Sequence, residues 1–149
     1  MNPTPIGQET LVADLRRLGV ELGDTLFVHS SFKSLGPVEG GAEAVIGALL
    51  EAIGPEGTLL MPAFNLAPRD PEERARGWDP KITPSTVGWL TEYFRTRPGT
   101  LRSDHYSHSV AAAGRRARAY VEGHRRREGY PSPWDREPWG YTYGLHSPF

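Results

Sequence analysis

Two short apolar segments separated by a strongly periodic helix pattern constrain the fold of this chain more than any other feature. Residues 25–28 and 58–61 are compact apolar runs that predict buried strands. Between them, apolar residues repeat at three and four positions from Ala42 to Ile53, and Gly54-Pro55 ends the pattern. A strand, a helix and a strand in this order are typical of a right-handed parallel βαβ unit. The sequence therefore predicts a layered α/β fold.

Other segments extend this pattern within one domain. Residues 11–18 have the apolar spacing of a short helix, and Thr83-Pro84 predict the start of another helix that ends before Pro98. Residues 65–82 are polar and contain prolines, which predicts an excursion over the surface. Residues 109–113 predict a strand of small side chains. Neither an internal repeat nor a linker divides the chain into two domains.

The balanced charge narrows the range of partners. The 149 residues carry 17 Lys+Arg and 18 Asp+Glu, a formal net charge of -1, so no whole-protein field attracts nucleic acid or anionic lipid. Six arginines between residues 115 and 127 form either a basic face for nucleic acid or, as we favour, a solvated helix end. An apolar stretch of about 18 residues and a secretion leader are both missing. We expect a cytoplasmic protein with no membrane and no nucleic-acid partner.

The segment from residue 124 to 149 is poor in aliphatic side chains. Its only aliphatic residue is Leu145, whereas six Trp, Tyr and Phe rings stand among four prolines. Such a segment cannot form a core alone, so it covers another part of the chain, meets a partner or leads into further chain. We call residues 124–149 the aromatic tail.

Cysteine is absent, which excludes several kinds of site. Disulfides, thiolate metal ligands and an acyl-cysteine intermediate are impossible within these 149 residues. The sequence also lacks an H-E-x-x-H motif, an EF-hand loop and a histidine cluster with metal-ligand spacing. We therefore expect no metal.

The first candidate site is the polar loop at residues 29–36, followed by Gly40-Gly41 at the start of a predicted helix. Ligands of parallel sheets lie beyond the carboxyl ends of strands, and this loop follows the first predicted strand. Its serines, its lysine and the free N–H groups of the helix suit a phosphate or pyrophosphate. The spacing matches neither a P-loop nor a G-x-G-x-x-G motif. A polar turn that only caps the helix is the alternative.

The second candidate site is the segment 102–109, just before the predicted small-residue strand. An arginine, several hydroxyls and two imidazoles occur together here, which suits anion binding or the positioning of a reacting group. A Ser-His-Asp hydrolase is disfavoured because the G-x-S-x-G elbow is absent. Composition alone favours a hydrogen-bonded strand entry. The acidic residues between positions 70 and 79 suit a polycationic substrate or, as we favour, a solvated loop.

These loops and strands resemble the aminoglycoside 3-N-acetyltransferase family of acetyl-CoA-dependent antibiotic acetyltransferases. The resemblance covers nearly the whole chain. The matching motifs are Leu18-Gly19-Val20, Val28-His29-Ser30-Ser31-Phe32, Ser34-Leu35-Gly36, Gly54-Pro55-Glu56-Gly57-Thr58-Leu59, Met61-Pro62, Asp79-Pro80, Thr83-Pro84-Ser85, Arg102-Ser103-Asp104-His105, Ser109-Val110-Ala111-Ala112 and Gly144-Leu145-His146-Ser147-Pro148-Phe149.

The resemblance implies a three-layer α/β/α sandwich with a mainly parallel central sheet, incomplete in this chain. Residues 1–123 would form the coenzyme A-binding part, and the aromatic tail would lead into an absent C-terminal half. The implied reaction moves acetyl from acetyl-CoA, as co-substrate, to an amine, such as the 3-amino group of an aminoglycoside. By position, the coenzyme site would comprise His29, Ser30, Ser31, Arg102, Ser103, His105 and Ser109.

Two departures from the family pattern limit which properties of the family the resemblance implies for this chain. Typical members are nearly twice as long and continue into a segment with His and Glu that is associated with catalysis, so the general base is expected outside these residues. Tyr106 stands where the family usually has proline. The alternative function is a truncated, non-catalytic coenzyme A-binding or interaction module. The aromatic tail would then dock a partner, such as a second copy of the chain.

Overall fold

A mixed four-stranded sheet forms the centre of the molecule. The structure is a computed structural model that describes residues 4–149. The strands are β1 (Thr25–Phe27), β2 (Thr58–Pro62), β3 (Leu101–Arg102) and β4 (Val110–Gly114), and they lie in the order β1-β2-β4-β3. β1 pairs with β2 in parallel, whereas β4 is antiparallel to both β2 and β3.

Five α-helices and two short 3-10 helices surround this sheet. They are α1 (Gln8–Arg17), α2 (Gly41–Ile53), α3 (Pro71–Arg76), α4 (Trp89–Thr96), α5 (Ala117–Glu122) and the 3-10 segments Phe32–Leu35 and Gly123–Arg125. The sequence patterns for α1, β1, α2 and β2 are confirmed to within a few residues at each end. Among residues 4–149, every helix is too short or too polar to span a bilayer.

Apolar side chains of the sheet pack on both of its faces. On one face, Leu59 and Met61 of β2 pack with buried residues of α2 and α4. On the other face, Leu60 packs with Val110 and with α5. Successive strand residues point to opposite faces, so β2, buried along its whole length, contributes to both clusters. This burial explains its continuous apolar sequence.

The prediction of a mainly parallel sheet is wrong. The connection from β3 to β4 consists only of residues 103–109. A parallel crossover needs a dozen or more residues, so a connection this short can join only antiparallel neighbours. β4 lies between β2 and β3 and runs against both of them, with Pro62 beside Val110 in the register with β2.

The prediction of a helix starting at Thr83 is also wrong, because α4 begins only at Trp89. Two hydrogen bonds fix the preceding segment outside the helix: the Thr83 hydroxyl accepts from the Asp79 N–H at 2.9 Å, and the Thr86 N–H donates to the Phe64 carbonyl at 2.8 Å. Gly88 then adopts a φ of 138°, which few residues other than glycine tolerate, and precedes the helix.

Candidate functional site

The antiparallel arrangement brings both predicted site segments to one edge of the sheet. Residues 29–31 follow the carboxyl end of β1, and the Val28 N–H continues the ladder to the Leu60 carbonyl at 2.8 Å. Segment 102–109 reaches the same edge because β4 runs the other way: the Ala63 N–H donates to the Ser109 carbonyl at 2.9 Å. A parallel β4 would have placed this segment at the opposite edge.

The loop after β1 forms one wall of an open cleft. Ser30, Ser31 and Lys33 face Gly88 and Trp89 at the start of α4, across a volume of about 670 Å³. The 3-10 turn that holds this wall is closed by the Ser34 N–H, which donates to the Ser31 carbonyl at 3.0 Å. We call this space the α4 cleft.

A smaller apolar space adjoins the same loop. It measures about 300 Å³ and lies between His29, Ser30 and the side chains of α1 and α2, such as Leu15 and Leu49. Ser30 lines both spaces, and its hydroxyl oxygen is buried without a hydrogen-bond partner. A buried hydroxyl in this condition is an exception among folded proteins, and a ligand that bonds to it would remove the cost.

A row of aromatic rings joins the loop to the second segment. Successive ring centroids lie 5.1 Å apart from His29 to Phe27, 5.5 Å from Phe27 to Phe149, 5.4 Å from Phe149 to Phe64 and 4.9 Å from Phe64 to His108. All four spacings fall in the favourable range for aromatic contacts. The last residue of the aromatic tail thus occupies the middle of the site edge.

Arg102 does not face the α4 cleft, because its guanidinium is hydrogen-bonded to backbone carbonyl oxygens. Its guanidinium donates to the carbonyls of Ala63 at 2.6 Å, Pro80 at 3.3 Å and Thr83, and to the Ser109 hydroxyl at 2.9 Å. Burial lowers the pKa of Arg102 to about 10, which leaves it charged at neutral pH. Arg102 therefore ties the segment after β2 and the segment before α4 to the entrance of β4.

Two stacked histidines lie beneath this edge. The rings of His105 and His124 are 4.8 Å apart and nearly parallel, at 17°. His105 Nδ1 accepts the His108 N–H at 3.0 Å, and its Nε2 faces the Thr142 hydroxyl at 3.3 Å. Ser103 links His124 to the sheet, because its hydroxyl lies 2.9 Å from His124 Nδ1 and accepts the N–H that opens β4 at 2.8 Å.

These histidines are neutral at pH 7. Burial, followed by the neighbouring imidazoles, lowers the pKa of His105 to about 3. Burial lowers the pKa of His124 to about 4, and it is also the main cause of the lowered pKa of His108. Since both ring nitrogens of His105 face protein groups, this residue is not available to take a proton from a substrate.

The aromatic tail covers the second segment. The Tyr106 hydroxyl donates to the Trp134 carbonyl, and the Trp139 indole donates to Asp104 at 3.2 Å. Tyr106, the residue that departs from the family pattern, is completely buried and packs against the Trp139 ring at 4.9 Å. Of the three possibilities left open by the sequence, the structure shows that the tail covers another part of the chain.

The seven residues predicted for the coenzyme site thus divide into two groups. His29, Ser30 and Ser31 line the two spaces at the loop. The other four lie at the same edge but are committed to protein partners: Arg102, Ser103, His105 and Ser109. The sequence prediction missed Trp89, which faces the loop from α4, because the start of this helix was misplaced. Among residues 4–149, no group of three metal-ligating side chains occurs.

Comparisons with known proteins agree with the motifs. A family model described as aminoglycoside 3-N-acetyltransferase matches residues 27–138. Aminoglycoside N(3)-acetyltransferase III from Salmonella sp is 36% identical over 143 residues, which cover 84% of this chain and 50% of that protein. The chain therefore spans about half the length of the curated relatives it matches.

Solved structures show the same fold. The structure described as AAC-IIIb binary with CoASH has a TM-score of 0.76 and 32% identity, and the match covers 97% of this chain and 55% of that one. A mutant of AAC(3)-IVa in complex with a gentamicin has a TM-score of 0.73 and 33% identity, with 93% and 48% covered. By sequence and by fold, this chain belongs to the aminoglycoside 3-N-acetyltransferase family.

Proposed function

We propose that this chain provides the coenzyme-binding part of an acetyl-CoA-dependent N-acetyltransferase, whose acceptor is the 3-amino group of an aminoglycoside. The observation that carries the proposal is the unpaired, buried Ser30 hydroxyl between two spaces at the carboxyl end of β1. Family membership supplies the ligand, because a related structure contains CoASH.

The residues around the loop fit the parts of coenzyme A. The long α4 cleft offers the rings of Phe32 and Trp89, whose centroids are 5.3 Å apart, together with hydroxyls and the exposed Lys33 ammonium. Cations and hydroxyls suit phosphate groups, and aromatic faces suit an adenine ring. The narrower apolar space beside Leu15 and Leu49 suits an uncharged chain such as pantetheine.

The roles in this part of the chain are binding and orientation. When bound, acetyl-CoA supplies the thioester. No cysteine among these residues can carry an acetyl intermediate, so the route we propose has both substrates bound together, with the amine attacking the thioester carbonyl and the coenzyme A thiol leaving. Ser30 and Ser31 orient the coenzyme, while Arg102, Ser103, His105 and Ser109 act as positioning residues that hold the site edge. The general base is supplied from outside this set, because both ring nitrogens of His105 face protein groups and burial lowers the pKa of His105 to about 3 and that of His124 to about 4.

Further features of the whole protein belong to this proposal. Helix packing on both faces of the sheet supports a three-layer α/β/α arrangement, with residues 1–123 as the coenzyme part. The acceptor assignment is supported by relatives whose structures contain a gentamicin or sisomicin. Self-association through the aromatic tail rests on its exposed rings, Tyr130 and Tyr143. A cytoplasmic location stays a prediction from sequence.

Calorimetric titration of the 149-residue chain with coenzyme A tests this proposal. We expect saturable binding that weakens about tenfold in Ser30→Ala, which corresponds to the loss of one hydrogen bond in a dry site. Thr96→Ala is the matched control, because it removes an exposed hydroxyl from the far end of α4 and should leave binding unchanged. Absence of coenzyme binding by the folded chain would refute the proposal.

An assay of thiol release with acetyl-CoA and sisomicin separates the two candidate functions. Thiol release by the chain identifies a complete catalyst. Coenzyme binding without thiol release favours the non-catalytic module that the sequence left open. Size-exclusion chromatography of the same sample tests self-association, and a monomeric elution volume would refute it.

A further inference from the structure

A buried arginine outside the coenzyme region has no partner. Arg74 lies on α3, and only 8% of its surface is exposed. Its Nε is buried without a hydrogen-bond partner. Within residues 4–149, none of the ion pairs involves its guanidinium. Since arginine keeps its charge in proteins, this is a largely buried side chain whose charge forms no ion pair among these residues.

The contrast with Arg102 shows that this arrangement is unusual for the chain itself. Arg102 donates to three carbonyls and a hydroxyl, so its charge is well solvated by protein dipoles. The Nε of Arg74 has no such acceptor. Moving a charged group out of water is strongly unfavourable when it gains no partner. In native proteins, a group of this kind is therefore a candidate for a ligand-binding site.

Arg74 faces a cavity that is shaped for a small ligand. The cavity measures about 420 Å³ and lies between α3 and the segment before α4. Its polar lining includes the buried Asn65, whose amide donates to the Tyr106 carbonyl at 3.3 Å. Apolar lining comes from Ile82 and Pro84. The exposed Glu73 carboxylate stands at the rim.

We propose that this cavity is a second binding site, which takes a small oxyanion, a phosphate or a carboxylate, on the Arg74 guanidinium. The planar N–H fork of arginine matches two oxygens of either group, and within residues 4–149 the Arg74 guanidinium forms no ion pair that would occupy it. The cavity shares no lining residue with the α4 cleft. A polycationic aminoglycoside is excluded as its ligand by the sign of the charge.

The charge of Arg74 also acts on His108, which provides an independent readout. Burial is the main cause of the lowered pKa of His108, and the nearby Arg74 charge lowers it further, whereas Asp135 raises it. An anion bound to Arg74 would neutralise this repulsion. The pKa of His108 therefore rises when the site is filled.

Thermal unfolding of the 149-residue chain tests the site. Melting is measured in chloride at pH 7, then with inorganic phosphate, acetate or adenosine 3′,5′-bisphosphate at constant ionic strength. We expect phosphate or acetate to raise Tm by roughly 3–6 °C at ten times Kd, and to raise it further with the logarithm of the anion concentration. The response should disappear in Arg74→Gln and persist in Arg76→Gln, which changes an exposed arginine on the same helix.

The probes distinguish the sources of the anion. A response to acetate identifies a carboxylate site, and a response to phosphate alone identifies a phosphate site. A response to the bisphosphate that needs Arg74 but survives Ser30→Ala identifies a nucleotide phosphate bound outside the α4 cleft. In chloride, Arg74→Gln should melt no lower than the wild type, because it removes an unpaired charge.

Two results would overturn the proposal. One is an anion response that is equal in wild type and Arg74→Gln, or absent from both. The other is a large loss of stability or of folding in Arg74→Gln in chloride, which would show that Arg74 is structural. NMR titration of His108 in the wild-type chain is independent of the variants, and a His108 pKa unchanged by phosphate and by acetate would also contradict an occupied Arg74.

Discussion

The loop after β1 and the segment before β4 carry the same kinds of polar side chain at the same sheet edge, but they use them in opposite ways. In residues 29–33, the side chains line open spaces and the Ser30 hydroxyl has no partner. In residues 102–109, Arg102, Ser103 and His105 bond to protein groups, although Ser107 Oγ and His108 Nδ1 are also buried without a partner. Residue type therefore indicates a polar site in both segments, whereas only the second segment has its arginine and Ser103 bonded within the protein.

Removal of Arg102 should have the largest effect on stability. Arg102→Met leaves the carbonyls of Ala63, Pro80 and Thr83 without their charged donor. Three part-buried carbonyls lose a charged donor at once, so we expect a loss of roughly 3–4 kcal/mol in the free energy of unfolding. Urea denaturation measures it, with the exposed Arg118→Met as control at about 0.5 kcal/mol or less. A loss as small as the control's would break the distinction between the two regions.

Acid should destabilise the second segment next. The folded-state pKa values of His105 and His124, about 3 and about 4, lie below the unfolded value of roughly 6.5. Between these values the unfolded chain binds more protons, so stability is complete above pH ~6.5 and falls as the pH drops toward about 4. Urea midpoints at successive pH values measure this loss. His124→Gln should flatten the slope, and an unchanged slope would show that His124 is not buried as a neutral group.

Ser103→Ala sharpens the comparison at the level of a single hydroxyl. The change removes the partner of both His124 Nδ1 and the Val110 N–H, two buried groups. We expect the free energy of unfolding to fall by roughly 1–3 kcal/mol. Ser103→Thr retains the hydroxyl and provides the matched control in the same denaturation series. Equal stability of Ser103→Ala and wild type would remove Ser103 from the structural group.

Ser30→Ala should have the smallest effect on stability. Its hydroxyl has no partner in the folded chain, so its removal should change the free energy of unfolding by about 0.5 kcal/mol or less. The same denaturation measurement, made beside Ser103→Ala, compares two serines of one sheet edge. If Ser30→Ala lowers the free energy of unfolding as much as Ser103→Ala does, the Ser30 hydroxyl stabilises the fold and the contrast between the two regions is wrong.

The elements that local patterns define were predictable from the sequence. Apolar periodicity predicts helix α2, and an uninterrupted apolar run predicts β2. Both signals are local, because each lies within the residues of the element itself. The direction of β4 depends on its partners and on the length of residues 103–109, and the start of α4 depends on hydrogen bonds outside the helix, such as the one from the Thr86 N–H to the Phe64 carbonyl. No periodicity records such contacts.

The candidate site was predictable to the same extent. The sequence located both polar segments and placed them at strand ends. It did not show that Arg102 donates to backbone carbonyls. One acceptor is the carbonyl of Ala63, which lies 39 positions away, and an alanine side chain gives no sign of such a bond. It also did not show that Tyr106 anchors the aromatic tail, since that contact spans 28 positions.

Amide hydrogen exchange of the 149-residue chain, with and without coenzyme A, tests the central claim most directly. If the loop after β1 binds the coenzyme while the second segment only supports it, saturating coenzyme A slows exchange at residues 30–36 and 87–90. Exchange at the amides of Ser103, His105, Ser107 and His108 then changes little, because these amides are already bonded within the protein. New protection confined to residues 102–109, with no change in the loop, would contradict the account.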